Sequence, residues 1–233
     1  MKKYSKILGQ ITLACLVLIA CENPPQEASQ STEENQDSTQ LKKVDSVKNE
    51  TGPVLNANLA TAADMASIGL PEDLLAQILE ARPFLSMIAF DSLLMDYPDR
   101  EAVYQQLFVP MNLNTAAEAD FKLIPGVGDR MAHEFEEYRP YANLQQFRLE
   151  IGKYVDDAMV AQYEQYVFVP IELNTATEAA IKDLPGVGER MAHEFLEYRP
   201  YANLQQFRKE IGKYVDEKEL ARLERLVYLD PAP

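Results

Sequence analysis

Leu184-Pro185-Gly186-Val187-Gly188-Glu189-Arg190 is a tight turn running straight into a helix-forming stretch, and the chain contains it twice. Its twin is Ile124-Pro125-Gly126-Val127-Gly128-Asp129-Arg130. The turn belongs to a longer repeat. LNTAAEADFKLIPGVGDRMAHEFEEYRPYANLQQFRLEIGKYVD (113–156) and LNTATEAAIKDLPGVGERMAHEFLEYRPYANLQQFRKEIGKYVD (173–216) share the segment EYRPYANLQQFR without a difference. A repeat of this period decides the architecture before any local signal does.

A worn third copy lies upstream. Thr61-Ala62-Ala63-Asp64 matches Thr115-Ala116-Ala117-Glu118 and Thr175-Ala176-Thr177-Glu178, and each reads as a capping box at a helix start. Arg82-Pro83-Phe84 matches Arg139-Pro140-Tyr141 and Arg199-Pro200-Tyr201. Between these anchors the first copy has Ile68-Gly69-Leu70-Pro71-Glu72-Asp73, with no G-x-G, so its hairpin is lost or rebuilt.

Each good copy reads as four short helices. In the last copy the first helix runs from Thr175 to about Asp183 and the second from Glu189 to Arg199. The second carries Met191, Ala192, Phe195 and Tyr198 on one face. Pro200 ends it. Asn203, with Gln206 in the reciprocal position, caps a third helix with the stripe Leu204, Phe207, Ile211. Asp216 and Glu219 open a fourth that holds Leu220, Leu223 and Val227. No stretch shows sustained alternation, and the predicted fold class is all-α: a degenerate repeat at 54–110 and two units at 111–170 and 171–233.

Glycine permits positive φ and close approach of another backbone. The N–H groups that open the following helix lack internal partners and carry the positive end of its dipole. Together they make a nest suited to one anion, typically a phosphate. For a single PGVG a helix–helix turn packed for its own sake is the better explanation; two copies in the same helix–turn–helix context call for more.

These residues resemble the helix-hairpin-helix domain of ComEA-type competence proteins, with an N-T-A opening and a P-G-x-G hairpin. The likeness covers 113–228, and more weakly 55–110. It implies paired hairpins that hold double-stranded DNA by its backbone without reading sequence. Carried over by position, the phosphate-binding set is Gly126, Val127, Gly128, Arg130, Gly186, Val187, Gly188 and Arg190, with Lys213 as a helper. Asp129 and Glu189 stand where a phosphate would approach. The second hairpin of each unit, Glu150-Ile151-Gly152-Lys153 and Glu210-Ile211-Gly212-Lys213, lacks the proline and one glycine. The stretch 199–228 also looks like the helix-hairpin-helix part of the extrinsic U subunit of photosystem II. That resemblance implies an acidic, exported docking protein that binds no DNA. Tyr138, Tyr141, Tyr198 and Tyr201, beside Arg139 and Arg199, then read either as contact patches or as core aromatics over helix ends.

The first 20 residues read as a signal: Lys2, Lys3 and Lys6 precede a short apolar run. Leu18-Ile19-Ala20-Cys21 resembles a lipobox, which implies lipidation at Cys21, a membrane anchor and a cell-envelope location, the outer membrane's periplasmic side being the expected one. Residues 21–53 are polar and acidic, too poor in apolar side chains to order themselves, and read as a tether. The formal net charge of -15 disfavours non-specific attraction to polyanions. The last copy holds most of the bases (Arg190, Arg199, Arg208, Lys209, Lys213, Lys218, Arg222, Arg225), so any DNA binding is expected there, and weak.

No catalytic constellation is visible. His133 and His193 are the only histidines, each followed by Glu but with no second His at helical spacing, which reads as two surface positions rather than metal ligands. No enzyme activity, cofactor or metal is expected. Two readings remain open, in this order: DNA capture by its backbone, or docking onto an envelope protein.

Overall fold

Among the described residues twelve helices form, four to each repeat, each too short to be stable alone. The computed structural model describes residues 53–230. The signal, Cys21 and all of the tether except Pro53 lie outside the described residues. The first unit holds α1 (Ala62–Ser67), α2 (Glu72–Ala81), α3 (Met87–Leu93) and α4 (Arg100–Tyr104). The second holds α5 (Glu118–Phe121), α6 (Asp129–Glu137), α7 (Leu144–Ile151) and α8 (Asp157–Glu164). The third holds α9 (Glu178–Lys182), α10 (Glu189–Glu197), α11 (Leu204–Ile211) and α12 (Glu217–Glu224). The described residues are all-α apart from three strand pairs of two residues per strand.

Those pairs close the units. β1 (Leu55–Asn56) lies parallel to β2 (Leu107–Phe108), β3 (Met111–Asn112) to β4 (Val167–Phe168), and β5 (Ile171–Glu172) to β6 (Val227–Tyr228). Val227, expected on the fourth helix, is thus a strand residue. Helix α12 ends at Glu224 because Leu226 and Val227 turn inward to complete the clasp.

A half-buried asparagine sets the register of all three copies. Asn58 Nδ2 donates to the Phe84 carbonyl at 2.9 Å and its Oδ1 accepts from Phe84 N at 2.7 Å. Asn114 holds Tyr141, and Asn174 holds Tyr201, through the same two bonds at the same distances. Aligned on these residues, Thr61 corresponds to Ala117 and Thr177, which corrects the capping assignment. Thr61 and Asp64 do form a capping box. Thr115 and Thr175 cap nothing: α5 starts after Ala117, and α9 is capped by Thr177, whose hydroxyl accepts from Ala180 N. Thr175 instead donates its hydroxyl to Glu172.

The degenerate hairpin is rebuilt rather than lost. Gly69 has φ 81°, matching 82° at Gly126 and 70° at Gly186. Leu70 is buried as Val127 and Val187 are, and Pro71 takes the N-cap place of the second glycine.

Phe135 centres the second core, with ring centroids 5.4 Å from Phe121 and 5.0 Å from Phe147. Phe195 and Phe207 repeat this in the third unit at 5.1 Å. Tyr141 and Tyr201 are fully buried, which settles them as core aromatics. Arg139 and Arg199 are interior braces rather than contact patches. Arg139 donates to the carbonyls of Leu113 and Ala116, and Arg199 to that of Ala176. Burial lowers the pKa of both guanidiniums.

The units also touch one another. Phe108 meets Tyr166 edge to face at 4.9 Å, and Val54 N donates to Gln165 at 2.8 Å. Arg225, from the third unit, donates to the carbonyls of Phe84 at 3.3 Å and Pro110 at 3.0 Å. Its burial, with Arg222 close by, pulls its pKa down to about 10.

Candidate functional site

The two G-x-G turns open α6 and α10. Only the first glycine of each needs its residue type for conformation: Gly126 and Gly186 have positive φ, a region that side chains avoid. Gly128 and Gly188 sit in extended backbone, φ -91° and -82°, and a Cβ added to either would meet no atom within 4 Å. The fold therefore does not require glycine there. The space beside the helix start is left open.

Neither α6 nor α10 has a side-chain cap. Their first N–H groups project without intrahelical acceptors, as at any helix start. The contrast lies within the same units. Helix α8 is capped by Asp156, which accepts from Met159 N at 2.9 Å, and α12 by Asp216, which accepts from Glu219 N at 2.8 Å. The second hairpins are thus closed by their own carboxylates. Their glycines, Gly152 and Gly212, are right-handed helix C-caps rather than nest residues.

Val127 and Val187, assigned to phosphate binding by resemblance, serve the turn. Their side chains are buried, and their amides donate to Ile124 and Leu184 at 3.0 and 3.1 Å. Arg130 and Arg190 are exposed on the first turn of their helices. The Arg130 guanidinium lies 5.7 Å from the Tyr154 ring centroid. Lys213 pairs with Glu210 and sits 4.9 Å above the Tyr198 ring; Lys153 does the same with Glu150 and Tyr138. Arg130 and Lys153 thus flank the Tyr138–Tyr154 pair, and Lys213 flanks Tyr198–Tyr214; each pair is joined hydroxyl to hydroxyl at 2.7 Å.

The acids at the helix starts have partners that the sequence reading passed over. Lys122 Nζ lies 2.5 Å from Asp129, and Lys182 lies 3.6 Å from Glu189 and 2.8 Å from Glu178. These contacts raise both lysine pKa values and lower that of Asp129. Lys122 and Lys182 stand seven residues before the acid in both copies, and comparing the repeats for that spacing finds them.

The two turns differ in what stands behind them. In the second unit the Tyr163 hydroxyl donates to the Gly126 carbonyl at 3.3 Å. That turn borders a cleft of about 670 Å³, whose far wall is Tyr97–Glu101 and Tyr104 of the first unit. In the third unit, buried Arg222 donates to the carbonyls of Pro185 at 2.6 Å and Gly186 at 3.2 Å, and pairs with Glu219 at 2.7 Å. Leu59 of the first unit closes on Gly186, 2.4 Å from where a Cβ would stand. The equivalent of Arg222 in the second unit is Gln162, so the repeat gave no signal for this brace.

Basic residues counted toward DNA binding are thereby reduced. Arg199, Arg222 and Arg225 hold backbone carbonyls, and Arg208 is forked onto Glu224. His133 and His193 are surface residues, within 3.9 Å of Glu137 and 3.7 Å of Glu197 respectively. Among the described residues no cluster of His, Cys, Asp or Glu could hold a metal ion, and no helix is long and apolar enough to cross a membrane.

Residues 167–224 match the family described as the helix-hairpin-helix motif. The third unit thus carries a helix-hairpin-helix domain, and the second unit repeats its geometry. No curated protein and no solved structure gives a significant match to the chain.

Proposed function

We propose that the chain is a non-enzymatic envelope protein, anchored through lipid on Cys21, that holds double-stranded DNA weakly by its backbone at the starts of α6 and α10. The observation that carries this reading is the contrast between hairpins. Asp156 and Asp216 close the second hairpins, whereas the first hairpins are uncapped, with an open space beside Gly128 and Gly188. A phosphate oxygen fits that space, with Arg130 or Arg190 on the first helical turn and Lys122 or Lys182 across the turn. Base edges play no part, so the contact is indifferent to sequence.

The affinity is low for a countable reason. Few cations face outward unpaired, and each helix start carries its own acid. Two hairpins neutralising one or two phosphates apiece give a slope of about -2 to -4 in log K against log salt.

The test is titration of a labelled duplex at low and moderate salt with the wild-type chain and a Gly128→Ala/Gly188→Ala variant. Both positions accept alanine without strain or collision, so helicity stays unchanged. Salt-sensitive binding in the wild type and its loss in the variant is the expected result. Absence of wild-type binding at low salt, or equal binding by the variant, sinks this reading. A second reading, docking onto an envelope protein, is favoured by one observation: Ile88 of α3 and the flanking Leu85 and Met95 are large apolar side chains left exposed.

A further inference from the structure

Helix α3 is apolar on both sides. Its inner stripe is Met87, Phe90 and Leu94, all buried. On its outer side Ile88 is 44% exposed, and the residues that flank the helix, Leu85 just before the N-cap Ser86 and Met95 just after the C-cap Leu94, are 53% and 66% exposed. Exposed Ala89 and Ser92 lie in the same segment, so no large side chain of the segment covers them. A helix that is apolar all round normally has both sides covered.

The other units serve as internal controls. Ser86 caps α3 by accepting from Ala89 N, as Asn143 caps α7 and Asn203 caps α11 by accepting from Gln146 N and Gln206 N. Counting from these caps, Leu85 corresponds to Ala142 and Ala202, Ile88 to Gln145 and Gln205, and Met95 to Gly152 and Gly212. The fold is built twice without a large apolar residue at any of the three positions. Their presence in the first unit serves something other than the unit's own packing.

Charge decides what covers the face. Between 54 and 110 there are eight acids (Asp64, Glu72, Asp73, Glu80, Asp91, Asp96, Asp99, Glu101) against Arg82 and Arg100. Arg100 is occupied by Asp91 at 3.0 Å, and Arg82 is half-buried. A second copy would bring the same negative surface against itself. A bilayer with anionic lipid would be repelled, and the chain has no tryptophan to anchor at an interface. The surface complements an apolar stripe bordered by lysine and arginine.

We propose that the outer face of α3 docks the apolar side of a basic amphipathic helix from a partner protein. This deepens the docking reading and is independent of the hairpins, so failure to bind DNA leaves it standing.

The test uses the chain from Cys21 to Pro233 and three labelled helical peptides of one length: leucine/lysine amphipathic, leucine/glutamate amphipathic, and glutamine/lysine with the same positive charge but no apolar stripe. The expected result is binding of the leucine/lysine peptide alone. A Leu85→Ala/Ile88→Gln/Met95→Gln variant, folded by circular dichroism, should bind it about tenfold more weakly or worse. The single Ile88→Gln variant should fall between. Leu149→Gln, which removes an exposed leucine from the second unit, should match the wild type. Equal binding of the glutamine/lysine peptide, no binding of the leucine/lysine peptide, or an unaffected triple variant would each overturn the proposal. So would self-association or sedimentation with phosphatidylcholine vesicles that the triple variant abolishes, since another occupant would then hold the face.

Discussion

Three alanine substitutions in the two turns separate conformation from contact. Gly188→Ala meets neither obstacle: its φ is ordinary and its Cβ direction empty. As N-cap of α10, glycine is favoured over alanine by up to about 1 kcal/mol, which alanine's stiffer unfolded chain offsets by about 0.4–1 kcal/mol, so the net change should stay within about 1 kcal/mol. Gly126→Ala meets one. Its φ of 82° puts a side chain in the left-handed region, at about 1–2 kcal/mol, with no atom in the way. Gly186→Ala meets both. To the same backbone cost it adds a collision with Leu59, whose Cδ1 lies 2.4 Å from the new Cβ, and a tight approach to Arg222 at 3.1 Å. Leu59 is 41% exposed and the colliding atom is the free end of its side chain, so it swings aside at about 0.5–1.5 kcal/mol, and the total is about 1.5–3.5 kcal/mol. Urea unfolding followed by circular dichroism reads these differences as midpoint shifts at constant slope. The decisive variant is Gly186→Ala in a Leu59→Ala background, where the penalty should fall towards that of Gly126→Ala. The coupling of about 0.5–1.5 kcal/mol measures a contact between the first and third units, more than a hundred residues apart in the chain. Equal costs for Gly126→Ala and Gly186→Ala, or no relief from Leu59→Ala, would refute the closure of the third unit on the first.

The asparagine latch and the buried tyrosines give two more tests. Asn174→Ala removes both bonds to Tyr201 and strands its buried backbone groups, and should cost about 2–4 kcal/mol in urea unfolding; a variant that loses under 1 kcal/mol contradicts the latch. Burial raises the phenol pKa of Tyr141, Tyr163 and Tyr201, and that of Tyr166 to about 12. Unfolded tyrosines ionise near 10, so the unfolded chain loses these protons first. Their contribution is complete below pH 10 and falls away as pH rises towards 12. The lowered guanidiniums of Arg225, Arg82, Arg139 and Arg199 act in the opposite sense, since there the folded chain loses its proton first, and they offset part of this loss. Helicity and tyrosinate absorbance should change together in that window; tyrosines that ionise near 10 with helicity intact would contradict the burial.

The helix content was legible because caps and stripes are local. Asn203 with Gln206, Asp216, and the Phe207–Ile211 stripe could all be read in place. The register of the worn copy was not. Threonine beside alanine looks alike at several offsets, and the residue that fixes the alignment, Asn58, acts on Phe84, twenty-six positions away. Strands of two residues leave no alternation to detect, which is why Val227 read as helical. At the site the glycines were visible, but their division of labour was not. Gly186 and Gly188 look equivalent on paper and differ only in φ and in what faces them. The arginines misled for the opposite reason. A basic side chain signals charge in a sequence, yet Arg199, Arg222 and Arg225 spend that charge on carbonyls inside the fold.

The strand pairs also fix how the chain carries load. In each clasp the opening strand donates to the closing one: Leu55 N to Gln106 O and Ala57 N to Phe108 O, both at 2.8 Å, with the same pattern at Met111 and Leu113 and at Ile171 and Leu173. Because the strands are parallel, tension applied to the two ends of the chain pulls β1 and β2 lengthwise past each other and strains both bonds at once. Force then crosses from β2 to β3 through two residues, Val109 and Pro110, without entering a helix. Under stretching the helical units should behave as slack held behind three shear pins, extending in discrete steps as each clasp gives way.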